Sequence, residues 1–405
     1  MSLSKGRRAA LACGLGVSLL ALMVPPLAAT ASAATPKVTK LRPITSQHVL
    51  YDVGVPHTVT QAEVAKAATS SGALATFTSK VTDPQNKKTY TYTMVGSNPE
   101  VKGSSNSTTI RTFIVPLKIV ITGTSLSWDP TVKDSCDSGA SAISRVQASP
   151  IFKSRAWTLD GTSVGTGEYM DAFQRANFWK YTGPSGSNSG FSINFAQTTL
   201  SKLTLSVPAK ATLGASISCG NGEIAAIPLS TLESYIQNTA IPSLASMGVN
   251  ASTVPIFETH NVVLYEGSAS SPTCCVLGFH NAYQHSGLQT YAFDEYDNSK
   301  DFSNVSDVSS LSHEADELMD DPYVQNGGNP TAPWGHIGQV TGCQSNLEVG
   351  DPLSGTIFSV PSSGFTYHMQ ELAFFSWFFR QAPSIGLNGK YSDQGKFTTP
   401  AAACS

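Results

Sequence analysis

One long stretch of this chain all but lacks basic residues. Between Lys210 and Arg380 there is one, Lys300, against 17 acids. The other 11 acids share the rest of the chain with 24 basic residues. So one-sided a segment repels itself unless cations or solvent offset it. It also excludes a nucleic-acid reader, which needs basic stripes. A second absence concerns thiolate metal sites: no C-x-x-C pair occurs. A third is the lack, beyond the N-terminal segment, of any apolar run near the roughly 18 residues of a membrane span. No glycine-rich loop opens a helix after a strand, which excludes a phosphate cradle of that type.

What is present begins with an export signal. Lys5, Arg7 and Arg8 precede an uncharged apolar run from Ala9 to Val24, and Ala31-Ser32-Ala33 forms an A-x-A cleavage site. This predicts a signal peptide over 1–33 and a secreted or periplasmic protein with no membrane partner. Six cysteines follow the signal: Cys136, Cys219, Cys274, Cys275, Cys343 and Cys404. In an exported chain they predict disulfides. Adjacent Cys274 and Cys275 are expected to bond to different partners.

The pattern from Leu74 onward is β. ATFTSKV and KKTYTYTMV flank the turn signal D-P-Q-N, and STTIRTFIVPLKIVITG reads as a long strand with a bulge or edge at Pro116. EYMDAFQRANFWK has helical spacing. After about residue 210 come a helix pair over Pro228–Met247 broken at Pro242, the strands THNVVLYEG and TYAFDEY, a helix over Asp307–Met319, and a buried helix over His368–Gln381. The expected fold is α+β: a β-rich N-terminal region over 34–220, then a mixed region with an active-site helix over 221–405.

The chemistry concentrates in S-H-E-A-D-E-L-M-D-D-P, residues 312–322. At about 100° per residue, His313, Asp316, Glu317 and Asp320 share one helix face, opposite Leu311, Ala315 and Leu318. Ser309 and Ser310 offer N-caps. His313 and Glu317, one turn apart, can meet one cation. Glu314 stands beside them, placed to take a proton from metal-bound water. The competing reading is an amphipathic surface helix whose acids face water.

H-E-x-x-E resembles the H-E-x-x-H of zincin metallopeptidases, matched at His313 and Glu314 but with Glu317 in place of the second histidine. The resemblance implies a zincin-like peptidase region, with Glu314 as general base and TYAFDEY as the edge strand that takes a peptide substrate. N-P-T-A-P-W-G and N-L-E-V-G-D-P-L resemble exported bacterial proteins of unassigned activity. Two carboxylate ligands give an oxygen-rich site, so zinc is the first expectation, with manganese and calcium open. Glu348 and Asp351 are the candidates for the further ligand, then Glu371. His280, His285, His336 and His368 follow as further ligands, and His280 or His336 as a stabiliser of the oxyanion. The expected function is an exported metal-dependent hydrolase acting on protein or peptide. The alternative is a non-catalytic exported binding or matrix protein. Gly161 to Gly165 matches G-x-S-x-G around Ser163, but its D-G turn context favours a hairpin over a nucleophile.

Overall fold

The computed structural model describes residues 41–44, 59–103, 107–324, 328–337 and 342–404. The expected signal over 1–33 lies outside them. Its organising element is a seven-stranded sheet. We label its strands β1 (Ser107–Thr122), β2 (Ser127–Trp128), β3 (Ser192–Thr199), β4 (Leu203–Pro208), β5 (Val254–His260), β6 (Gly278–His285) and β7 (Gly287–Tyr296). The order is β3-β1-β5-β7-β6, with β4 and β2 also paired to β1. Neighbours run parallel except β2 against β1 and β6 against β7.

The sheet corrects the expected fold class. The chain is strand-rich throughout, and no mixed zincin-like region stands apart from a β-rich one. β1, β3 and β4, from before residue 210, interleave with β5, β6 and β7, from after it. Of the helices expected after residue 210, that over Asp307–Met319 forms over Ser309–Asp320, and Pro228–Met247 is helical from Leu229 to Met247 with no break at Pro242, whereas the third does not form. His368–Gln381 yields instead the end of a strand over Phe365–Gln370 and a one-turn helix, Phe375–Phe378. Its apolar residues suit a core of any local geometry, which is why periodicity alone misassigns them. TYAFDEY is not an edge strand: it is β7, held between β5 and β6, and the edge belongs to β6.

Alternation along the strands builds two cores. On β1, Ile110 and Ile114 face one side, while Phe113, Val115, Leu117, Ile119 and Ile121 face the other. Pro116 lies where the ladder on one flank of β1 passes from β3, ending at Ile114, to β4, starting at Leu117. A residue without an N–H costs little at such a gap. On β5 and β7, Ile256, Ala292 and Tyr296 face the first core, and Phe257, Tyr291 and Phe293 the second. The first core also receives helix α1 (Tyr169–Asn177) and helix α2 (Ser309–Asp320).

A five-stranded sheet is built from Arg42–Pro43, Leu213–Ser216, Glu223–Pro228, Val262–Ser268 and Ser271–Val276. Three disulfides form: Cys136–Cys219, Cys274–Cys275 and Cys343–Cys404. The adjacent pair corrects the expectation of separate partners, since the two sulfurs bond to each other across a cis peptide. Among the described residues no helix is long and apolar enough to cross a membrane.

Candidate metal centre

The centre forms where α2 crosses β6 and β7. All 12 residues of α2 are buried, so none of its acids faces water. Ser309 and Ser310 lie inside the helix rather than capping it. The N-cap is Val308, with no side-chain cap. The helix is therefore held by what packs around it. Asp320, on the side toward α1, is bonded by Gln174 and, at 3.2 Å, by Asn177. Asp321, at the end of α2, accepts from the backbone N–H of Asn329 at 3.0 Å and fixes the chain beyond.

Two glycines permit the close approach. A Cβ at Gly278 on β6 would lie 2.6 Å from Glu314 Cγ and 2.7 Å from Ser310 Oγ. A Cβ at Gly350 would collide with the His313 ring. No side chain larger than glycine fits at either place while α2 keeps its position.

Into this space the chain delivers two imidazoles and four carboxylates. His313 Nε2 lies 3.0 Å from Glu317 Oε1 and 3.7 Å from Asp351 Oδ1. Donor atoms about 2.1 Å from a cation and 90–110° apart lie about 3.0–3.4 Å from each other, so this spacing needs only small adjustment. Glu317 Oε1 also accepts from the N–H of Gly350 at 2.9 Å and of Asp351 at 3.2 Å. His280, from β6, brings Nδ1 to 3.2 Å from Glu314 Oε2 and 3.9 Å from Glu317 Oε2. Its Nε2 lies 2.9 Å from the Asp321 carbonyl and 3.8 Å from Glu348 Oε2. Glu314 Oε1 and Glu348 Oε1 are buried with no hydrogen-bond partner among the described residues. Residues of this set could hold a metal ion in two groups, His313–Glu317–Asp351 and His280–Glu314–Glu317.

The charges of the centre are perturbed as its burial requires. Burial, then the neighbouring charge of Glu314, pushes Glu317 well above the usual carboxylate range. Burial does the same to Glu348, against an opposing pull from His280. For His280 burial alone lowers the pKa. The charge of Glu348 and the hydrogen bond and charge of Glu314 outweigh it and push the group up to about 9. Without cations, protons must balance these carboxylates, and a cation that binds must displace them.

Gln370 adds a condition. Its Nε2 lies 2.8 Å from His313 Nδ1 and 2.8 Å from the Gly350 carbonyl. An amide nitrogen donates to both, which puts the imidazole proton on Nε2, facing Glu317. A cation at Nε2 requires that proton on Nδ1, and then the amide oxygen must turn toward the ring. Gln370 Oε1 is buried without a hydrogen-bond partner. A cation at His313 Nε2 would thus be coupled to rotation of one amide.

His313, Glu314, Glu317, Glu348 and Asp351 come together as the sequence expects, and His280 joins them. The other named residues do not. Glu371 accepts from Ser392 Oγ at 2.6 Å and from the Lys396 N–H at 3.0 Å. His368 pairs with Asp307 at 2.5 Å, and His285 and His336 are exposed. Ser163 sits exposed on the second strand of the hairpin formed by Arg155–Leu159 and Thr162–Gly167.

Sequence reading missed Gln370 and a further buried pair. Glu258 on β5 and Asp294 on β7 are register partners, fully buried on the α2 side of the sheet. Burial pushes both well above the usual carboxylate range. The signal was available: each acid directly follows an apolar run, V-P-I-F before Glu258 and Y-A-F before Asp294. A second group that could hold an ion, Asp134, Asp137 and His260, was also missed. Comparison with protein-family models, with curated protein sequences and with solved structures gives no match to this chain.

Proposed function

We propose that the α2 centre binds a divalent cation and that the protein is an exported metal-dependent hydrolase acting on peptide bonds. The observation that carries the reading is the convergence of His313, Glu317 and Asp351 in a buried space, beside Glu314 and Glu348 oxygens that none of the described residues satisfies. Buried carboxylates without partners are costly, and a cation satisfies several at once. Zinc fits the histidine and carboxylate donors, and the oxygen-rich set also suits manganese.

A cation held there would polarise water, and Glu314 would be the base that accepts its proton. Two carboxylates on the metal weaken its pull on that water, so turnover should be slow beside a centre with two neutral histidines. Three disulfides accord with export.

A second reading, a structural cation that pins α2 to the sheet, is favoured by one observation: every ligand is at most 5% exposed. Glu314→Gln separates the two. In the hydrolase, it keeps the His313-bound cation and its thermal stability but loses peptide cleavage. If cation removal lowers the melting temperature and the wild-type protein cleaves no peptide, the structural reading replaces the catalytic one.

A further inference from the structure

We propose that the centre holds two divalent cations, bridged by the Glu317 carboxylate. The inference rests on the metal-centre reading and extends it. Glu317 belongs to both groups that could hold an ion, and its two oxygens address different imidazoles. Oε1 lies 3.0 Å from His313 Nε2, and Oε2 lies 3.9 Å from His280 Nδ1. A carboxylate that offers one oxygen to each of two cations is the usual link in paired-metal hydrolases, where the ions sit about 3.5–4 Å apart.

The first cation takes His313 Nε2, Glu317 Oε1 and Asp351 Oδ1. The second takes His280 Nδ1, Glu314 Oε2 and Glu317 Oε2. His280 is set up for this without rearrangement. Its Nε2 donates to the Asp321 carbonyl at 2.9 Å, so a cation need only displace the proton between Nδ1 and Glu314 to meet the Nδ1 lone pair. That is how a metal-bound histidine is commonly oriented. Glu314 Oε1 is left over and meets no donor among the described residues, so it can still accept a proton from water.

Charge points the same way. Glu314, Glu317, Glu348 and Asp351 are all buried, and the ion pairs of Glu314, Glu317 and Glu348 are with histidines. One divalent ion beside two neutral imidazoles leaves two negative charges uncompensated in a low-dielectric space. Two ions compensate all four.

The test is metal stoichiometry of the full chain. Metal-free protein is dialysed against zinc and its bound metal counted by mass spectrometry. The proposal expects two equivalents, falling to one in His280→Gln and to none in Glu317→Ala. One equivalent in the wild type overturns the pair but leaves the metal centre, and none overturns both. Manganese(II) loading of the wild type gives an answer that does not depend on variants folding. Exchange-coupled, multi-line electron paramagnetic resonance supports a bridged pair. Two equivalents with only isolated six-line spectra place the second ion elsewhere and overturn the proposal.

Discussion

Two places in this molecule bring a histidine together with two acids, and they differ in what satisfies them. In one, Asp134, Asp137 and His260 surround Asn298. Its amide donates to Asp134 Oδ2 at 2.8 Å and to Asp137 Oδ2 at 2.7 Å, while its carbonyl oxygen lies 3.1 Å from His260 Nε2. Asp137 also accepts from the Tyr296 hydroxyl at 2.8 Å. An amide already occupies the position a cation would take. In the α2 centre none of the described residues plays that part: Glu314 and Glu348 each keep a buried oxygen without a hydrogen bond from them. Proximity of ligating side chains does not by itself make a metal site. What distinguishes one is polar demand that the protein leaves unmet.

The contrast can be broken or sharpened by experiment. The largest effect is expected for Glu317→Ala, which removes the residue common to both ion groups. Cation affinity should fall by more than about 100-fold, as read by calorimetric titration. His260→Ala, in the other cluster, should leave affinity unchanged. Equal loss in both variants would erase the distinction.

The next effect is one of pH. Burial pushes Asp320 to about 7, against partial relief from Gln174, and pushes Asp393 to about 7 with the charge of Glu371 adding. Groups whose pKa is raised on folding bind more protons in the folded state. Their stabilisation is present below the unfolded carboxylate range near 4 and is lost as pH rises through about 7. Metal-free protein should therefore lose on the order of 3 kcal/mol between pH 5 and pH 8 in urea unfolding. Metal-loaded protein should lose less, because the cations replace protons at the centre. A flat or rising profile without metal would contradict the burial argument.

Gln370→Leu should weaken cation binding by about 10-fold to 100-fold, by removing the group that orients His313. Gln370→Glu should restore much of it, since a carboxylate accepts from Nδ1–H without turning. The smallest effect belongs to the satisfied cluster. Asn298→Ala should cost about 1–3 kcal/mol of stability, by leaving the buried Asp134 and Asp137 without their shared donor, and should not change metal content. Both are read by thermal unfolding beside metal analysis.

Much of the centre was legible in the sequence, because its core lies on one helix. Spacing alone puts His313, Glu314 and Glu317 within a turn, and the acid excess after Lys210 points to a cation. The strand carrying His280 was not predicted to cross that helix. Its role depends on β6 pairing with β7 and on Gly278 letting α2 approach. The competing reading, a face of acids toward water, fails because the helix is buried all round. A helical wheel shows which residues are neighbours, but not what packs against them. The fold was less legible. Apolar runs such as His368–Gln381 fit helix and strand equally, and the pairing of strands from before and after residue 210 is a long-range event that no local pattern records.

The central claim is that the α2 centre, unlike the Asn298 cluster, binds divalent metal. The most direct measurement is the metal content of the purified full chain after chelator stripping and zinc re-addition, beside His313→Ala and His260→Ala. The account predicts at least about one tightly held equivalent in the wild type and in His260→Ala, and loss in His313→Ala. Less than about 0.2 equivalents in the wild type, or equal retention in all three, would contradict it.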